Sequence, residues 1–416
     1  MKLRRLLAPL RRALGDTPVV LINGARQVGK TTLVRGLEAR RYLNLDDAAI
    51  LAAARSDAAG FLAGLEGPVV LDEVQKAPEL FPVIKSAVDR ARRPGRFLLT
   101  GSTDVLLLPR LSESLAGRME ILTLWPFSQG EIEGGQEGFL DAVFARRVTG
   151  LQAGAETRPE LMARVLRGGY PEIQTRRSGG RRAAWFGSYL SAIVQRDVRD
   201  LANIEGLTVL PRLLALLAAR SATTLNVADL SRDAAVPQST LKRYLDLLAA
   251  TFLVQTVPAW SINVGKRLVK SPKIYLSDTG LVSHLLGLSG ARFAREPSLF
   301  GPLLETFVML ELRKQKAWSH VDPGLFHFRT QTGQEVDLVL EDRRGRLVGI
   351  EVKASATVRA EDFRGLRVLA QAGGRRFVRG IVLYTGVEPV AFGARLMALP
   401  VEAVWTLGIK PPHRVW

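Results

Sequence analysis

The chain has 416 residues, 47% apolar and 24% charged, with 58 Lys/Arg against 40 Asp/Glu and a net charge of +18. At roughly 100–200 residues per domain this is a globular chain of two to four domains, which excludes wholesale disorder, a collagen-like repeat and a coiled-coil rod. Cysteine is absent and the four histidines stand far apart, at 284, 320, 327 and 413, so disulfide scaffolds, zinc ribbons, thiol nucleophiles and Cys-ligated clusters are excluded, while the basic excess favours an anionic partner.

Residues 1–14 hold an apolar stretch broken by Pro9, Arg11 and Arg12. They read as a short amphipathic helix rather than a signal peptide, and no later run reaches the eighteen or so apolar residues of a membrane span. A cytoplasmic protein with no membrane partner is the expectation. From Pro18 to about Phe127, short β-branched strands at 19–23, 41–45, 68–71, 96–100 and 119–124 alternate with helical stretches, the pattern of a parallel sheet covered by helices. Residues 1–138 are therefore expected to form one α/β unit, closed by the Gly/Glu-rich passage at 130–138.

Within that unit, Gly24, Ala25, Arg26, Gln27, Val28, Gly29, Lys30 and Thr31 fit the phosphate-loop pattern G-x-x-x-x-G-K-[ST], with an apolar strand before it and a helix from Thr32 onward. Gly24 and Gly29 let the backbone wrap so that its N–H groups point at the phosphates of ATP, with the helix N-terminus adding to the field. Lys30 reaches the β- and γ-phosphates, and the Thr31 hydroxyl is an oxygen ligand for Mg2+. About forty residues on, an apolar strand ends in Asp72 and Glu73. Asp72 is assigned to the metal and Glu73 to the attacking water. A further buried-type strand ends in Thr100 and Ser102, placed to sense the γ-phosphate or orient water. Arg118 is a candidate for a charge delivered to the γ-phosphate, in cis or from a neighbouring subunit, which allows a homo-oligomer, against the alternative of an ordinary surface or packing arginine.

The runs 23–33, 71–81, 99–102 and 114–118 resemble the AAA+-superfamily ATPases of prokaryotes in which the ATPase domain is followed by a C-terminal domain of unknown function. The resemblance extends to Gly168-Gly-Tyr-Pro-Glu172, Gln195-Arg-Asp-Val198, Leu241-Lys-Arg-Tyr244, Lys273-Ile-Tyr-Leu-Ser-Asp-Thr-Gly-Leu281 and Glu335-Val-Asp-Leu338. It implies an AAA+-type fold and ATP binding, and no agreed cellular task.

Residues 139–272 read as mostly helical. Between 176 and 273 stand fifteen Lys/Arg and six Asp/Glu, a surplus of nine that is half of the net charge. Residues 208–258 have the pattern of a winged helix-turn-helix: a helix at 209–220, a second at 226–235 capped by Asn226, a tight turn, a third at 240–251 capped by Ser239, and a strand-like wing at 253–258. The third helix would expose Gln238, Thr240, Lys242 and Arg243 and bury Leu241, Tyr244, Leu245 and Leu248, so DNA is the expected partner, against the alternative of a packing module with a solvated polar face.

From about Phe300 the period changes to two, and 273–416 is expected to be a separate α/β unit. Asp337 on one strand, a hairpin, then Glu351 and Lys353 on the next put two acids and a lysine on one face. Two carboxylates can hold a divalent cation and the lysine can activate water. The arrangement resembles the PD-(D/E)XK core of restriction-endonuclease-like proteins, with Glu305 on the preceding helix as an additional acid and Val336, not Pro, before Asp337. Either a working nuclease site or a retained core without chemistry fits these residues. The whole chain then reads as a Mg2+-dependent ATPase near DNA, or as a nucleotide-controlled scaffold.

Overall fold

The computed structural model describes residues 2–37, 40–103, 115–198 and 207–408. Ser114 of the run before Arg118, and residues 409–416 of the expected third unit, lie outside the described residues.

Strands β1 (Val19–Asn23), β2 (Arg41–Asn44), β3 (Val69–Asp72), β4 (Phe97–Gly101) and β5 (Met119–Thr123) form one parallel sheet in the order β2-β3-β4-β1-β5. The central strands β1, β3 and β4 are buried at every position. Their residues are apolar until the C-terminal ends, where Asn23, Asp72 and Thr100 stand, as a sheet covered on both faces requires. Alternation divides the rest: Val20, Ile22, Val70 and Leu98 enter one core, while Val19, Leu21, Leu71, Phe97 and Leu99 enter a second with the helix Leu80–Arg90. Parallel pairing puts all the strand C-termini on one edge, so β1, β3 and β4 deliver their polar ends to one place.

In the basic middle, the helices Leu210–Ala219, Val227–Ala234 and Gln238–Ala250 pack with β6 (Thr223–Thr224), β7 (Val254–Val257) and β8 (Lys273–Leu276). These three strands make an antiparallel sheet in the order β6-β8-β7. Asn226 caps the second helix as expected, its side chain accepting from the N–H groups of Ala228 and Asp229 at 3.1 and 3.2 Å. The expected Ser239 cap is not formed. The third helix begins earlier, at Gln238, because Pro237 holds the extended conformation before a helix and its carbonyl accepts from Leu241 N at 2.9 Å. Strand β8, at the start of what the sequence suggested as the last unit, pairs inside this middle sheet.

The remaining strands are β9 (Gly324–Arg329), β10 (Glu335–Glu341), β11 (Leu347–Lys353), β12 (Phe377–Tyr384), β13 (Val390–Ala391) and β14 (Leu396–Pro400), in the order β13-β14-β12-β11-β10-β9. β9, β10 and β11 are antiparallel neighbours, whereas β11, β12 and β14 run parallel. Leu338, Leu340, Val348 and Ile350 face the core that contains Leu304, Val308 and Leu312 of the helix Phe300–Lys316. Leu347, Val336 and Val382 face Leu366 and Leu369 of the helix Arg364–Gly373.

These units are not independent. A single apolar cluster runs from Leu10 and Val20 through Leu213 and Leu248 to Leu304 and Ile381. Polar joints cross it too. Asp278 is fully buried and accepts from the N–H groups of Gly169 (2.7 Å) and Gly280 (2.8 Å), tying the Gly-Gly-Tyr-Pro turn to the helix Thr279–Leu286. Gly168 has φ +73°, and a Cβ there would lie 2.1 Å from the Asp278 carboxylate. Gly168→Ala combines left-handed backbone strain with that clash and is expected to cost about 1–3 kcal/mol. The check is a thermal melt, and an unchanged midpoint would mean that the joint yields freely.

Candidate functional site

The loop after β1 is shaped by three residues at positive φ: Gly24 (+144°), Gln27 (+61°) and Gly29 (+97°). At Gly24 a Cβ would come within 2.2 Å of the Leu124 carbonyl oxygen, so only glycine fits beside β5. Lys30 opens the helix Lys30–Arg35 and lays its ammonium across the loop, donating to the carbonyls of Gly24 (2.8 Å) and Ala25 (2.9 Å). Val28 is buried, and its carbonyl accepts from the guanidinium of Arg4 at 3.1 Å, which braces the loop from behind. The Arg26 carbonyl meets the Tyr189 hydroxyl of the helix Gly179–Ala192 at 3.4 Å. Thr32 faces outward in the first turn.

Asp72 ends β3 and is 1% exposed. One of its oxygens accepts from the Thr31 hydroxyl at 2.8 Å and from the Tyr42 hydroxyl, and the other from the Thr100 hydroxyl. The carboxylate thus joins β2, β4 and the phosphate-loop helix. Burial, then the bond to Asp72, pushes the Tyr42 hydroxyl up to about 12. Glu73 follows at φ +60°, a left-handed conformation unusual for a glutamate. It is held there by its own N–H, which donates to the Thr100 hydroxyl at 3.0 Å. The Gln75 amide donates to the Glu73 carboxylate and to the Ser102 hydroxyl (2.9 Å), and Ser102 donates to Glu73 at 3.3 Å. The fold therefore brings Lys30, Thr31, Asp72, Glu73, Thr100 and Ser102 to one edge of the sheet.

Arg118 is not among them. It immediately precedes β5, at the opposite edge of the parallel sheet, a strand length or about 17 Å from the phosphate loop. There it forms a two-pronged ion pair with Asp89 at 2.5 and 3.1 Å. The fold does not bring Arg118 to its own phosphate loop, because β5 runs parallel to β1 and its start is remote from β1's end.

The second expected cluster also assembles. Glu351 and Lys353 project together, 2.9 Å apart, and Asp337 accepts from the Val352 N–H at 2.9 Å. Burial, then the neighbouring Asp337, raises Glu351 to about 7. Glu351 Oε2 is buried and unpartnered. Glu305 lies beside them, raised to about 8 by burial and by Asp337 against the pull of Lys273. Among the described residues no group of three or more His, Asp or Glu could hold a metal ion. The Lys273 ammonium stands against Asp337 at 3.2 Å, beside the expected Asp337–Glu351 metal pair.

Sequence reasoning assigned no role to Tyr42, Gln75, Arg4, Tyr275, Glu335 or Lys273. Tyr42 meets Asp72 only through the parallel register Asn44↔Asp72, and Lys273 meets its acids only through packing between sheets. Gln75 had a signal, its place two residues after Glu73.

A nucleotide loop, a strand-end acid pair and polar strand ends on an all-parallel sheet define a P-loop ATPase of the AAA class. The AAA domain model matches residues 16–133, which contain this whole network, and two domains of unknown function, DUF8612 and DUF4143, match residues 158–292 and 300–404. The chain belongs to the same family as two proteins, from Mycobacterium bovis and Mycobacterium tuberculosis, that are described as uncharacterized. Each is 34% identical over 405 residues, covering 96% of this chain and 84% of the relative. A solved structure, the Walker-type ATPase PABY2304 of Pyrococcus abyssi, is similar at 17% identity and a TM-score of 0.38, covering 67% of this chain and 94% of that one. Among the described residues no helix is long and apolar enough to cross a membrane.

The buried acids make stability depend on pH. Burial raises Asp278 from 3.8 to about 6 and Glu305 from 4.5 to about 8. A carboxyl with a raised folded pKa contributes stability in its protonated form below the unfolded pKa, and loses it as pH climbs through the folded value. Stability to urea is expected to fall between about pH 4 and 8. Glu305→Gln should flatten the upper part of that fall, and an identical profile in the variant would rule out its contribution.

Proposed function

We propose that the protein is a Mg2+-dependent ATPase of the AAA+ superfamily that acts on duplex DNA through the basic middle of the chain. The observation that carries the catalytic part is the network in which Asp72 binds the Thr31 hydroxyl while Thr100 holds both Asp72 and the Glu73 backbone. Thr31 and Asp72 are hard oxygen donors 2.8 Å apart at the mouth of the phosphate loop, a set that suits Mg2+. When bound with nucleotide, that ion supplies charge neutralisation at the β- and γ-phosphates. The loop N–H groups and Lys30 bind the phosphates. Glu73, turned outward by its left-handed backbone and steadied by Gln75 and Ser102, orients and deprotonates the attacking water. Arg118 enters this reading from a neighbouring copy of the chain in a homo-oligomer, since its own sheet separates it from its own phosphate loop.

The middle supports a winged-helix reading, here extended through β8 to Leu276. Its order is helix, strand, two helices, strand, a basic connection at 258–272 that holds the short helix Val264–Val269, and a closing strand, with the sheet order β6-β8-β7. On the helix Gln238–Ala250, Leu241, Tyr244 and Leu248 are buried while Gln238, Ser239, Lys242 and Arg243 face solvent. That is the division a recognition helix needs, with polar groups for base edges and cations for phosphates. From Phe300, the order helix, three antiparallel strands, helix and parallel strand supports the restriction-endonuclease-like reading. In this reading nucleotide turnover reorients the basic middle against the ATPase core, along the contact between Arg26 and Tyr189.

Two measurements test these assignments. Glu73→Gln is expected to bind ATP with near-native affinity and to lose about 100-fold or more in turnover; full turnover would remove Glu73 as the base. Lys242→Glu combined with Arg243→Glu should weaken duplex binding and lower the slope of log affinity against log salt by about two. Binding that keeps its affinity and slope would reassign the helix to packing.

A further inference from the structure

Lys273 brings a positive charge into the C-terminal acidic pocket from another part of the fold. It begins β8, the central strand of the middle sheet, and is paired on both sides, with Thr224 of β6 and Val257 of β7. Its side chain is 2% exposed. The ammonium lies 2.6 Å from Glu335 Oε1, 2.9 Å from Glu305 Oε1 and 3.2 Å from Asp337 Oδ1. Those acids belong to the helix Phe300–Lys316 and to β10, on the C-terminal sheet. Tyr275, two residues along β8 and so on the same side of the strand, donates to Glu305 Oε1 at 2.8 Å.

Three acidic side chains within hydrogen-bond reach of one point form a site for a hydrogen-bond-donating cation. The cation here is an ammonium on a four-carbon stem, and its three N–H donors match the three acids in number. The surroundings give it nowhere else to go. Ile274, Tyr275 and Leu276 are buried, and the strand is held by both neighbours, so the stem cannot swing to solvent without opening the middle sheet. Asp337 is further committed through its second oxygen, which accepts from the Val352 N–H at 2.9 Å. The spacings of 2.6 to 3.2 Å are those of N–H to oxygen bonds. A divalent metal draws oxygens to about 2.0–2.6 Å in a larger set.

We propose that Lys273 is the resident cation of this pocket: its ammonium stands where Glu305, Glu335 and Asp337 would otherwise converge on a divalent ion, so the pocket latches the middle sheet to the C-terminal sheet and performs no metal-dependent phosphodiester hydrolysis. The activity it excludes rests on the restriction-endonuclease-like reading of that unit, whereas the cation geometry does not. Glu351 and Lys353 pair with each other at 2.9 Å on β11, while Glu351 Oε2 has no hydrogen-bond partner.

The test is Mn2+ titration of the nucleotide-free full-length chain, read by electron paramagnetic resonance of the free ion. Wild type is expected to show no Mn2+ binding that Asp337→Asn removes. Lys273→Ala, with fold confirmed by circular dichroism, should gain a site at least about tenfold tighter than any weak binding in wild type, and adding Asp337→Asn should abolish it. A folded Lys273→Ala that gains no site would overturn the proposal. So would wild-type Mn2+ binding that Asp337→Asn abolishes, a result that does not depend on whether the lysine variant folds. Plasmid incubated with wild type and Mn2+ should stay intact. Nicking lost in Asp337→Asn would refute the latch, whereas an intact plasmid together with a gained site in Lys273→Ala separates a latched pocket from a wrong reading of the fold.

Discussion

The carboxylate of Asp72 is the constraint around which the nucleotide site is built. Buried at the end of β3, a carboxyl group is tolerable only with partners on its oxygens, and here three hydroxyls supply them from three different elements. Each donor brings its element into register: Thr31 fixes the first turn of the phosphate-loop helix, Tyr42 fixes β2, and Thr100 fixes β4. Thr100 then passes the constraint on, because the same hydroxyl receives the Glu73 N–H and holds that residue in a left-handed conformation it would otherwise avoid. The strain is local, confined to the residue that follows Asp72.

The same logic joins the units to one another. Where they meet, buried charges are each met by a partner from the other side. Glu311 on the helix Phe300–Lys316 accepts from the Gln129 N–H at 2.8 Å and pairs with Lys314, which also donates to the Phe127 carbonyl at 3.0 Å. Asp278 plays that part between the Gly-Gly-Tyr-Pro turn and the middle, and Lys273 between the middle and the C-terminal sheet. Removing one partner from such a buried pair costs more than the pair contributes, so these joints specify how the units sit as much as they stabilise them.

Much of this was legible in the sequence because its signals are local. The three central strands β1, β3 and β4 are apolar runs ending in polar residues, and the phosphate loop is a contiguous motif whose glycines are demanded by positive φ at Gly24 and Gly29. The Asn226 cap and the i, i+2 pair Glu351 and Lys353 follow from the geometry of one helix end and one strand. Strand β8 and the start of the helix at Gln238 were less legible. β8 is four residues that gain meaning only by pairing on both sides, and Pro237 serves as a cap through its backbone, where a side-chain rule looks for serine.

By itself, the sequence determined the class of chemistry: a nucleotide loop, a strand-end acid pair, no thiol chemistry or Cys-ligated zinc, and a basic middle. It did so because phosphate binding and strand ends are encoded by residues close together along the chain. Only the tertiary structure decided which charges act together. The parallel direction of β5 carries Arg118 to the far edge of its sheet, register brings Tyr42 to Asp72, and the packing of two sheets drives the Lys273 ammonium among Glu305, Glu335 and Asp337. Coulomb interactions depend on distance in space, and residues 273 and 337 are neighbours only once the sheets have closed on each other.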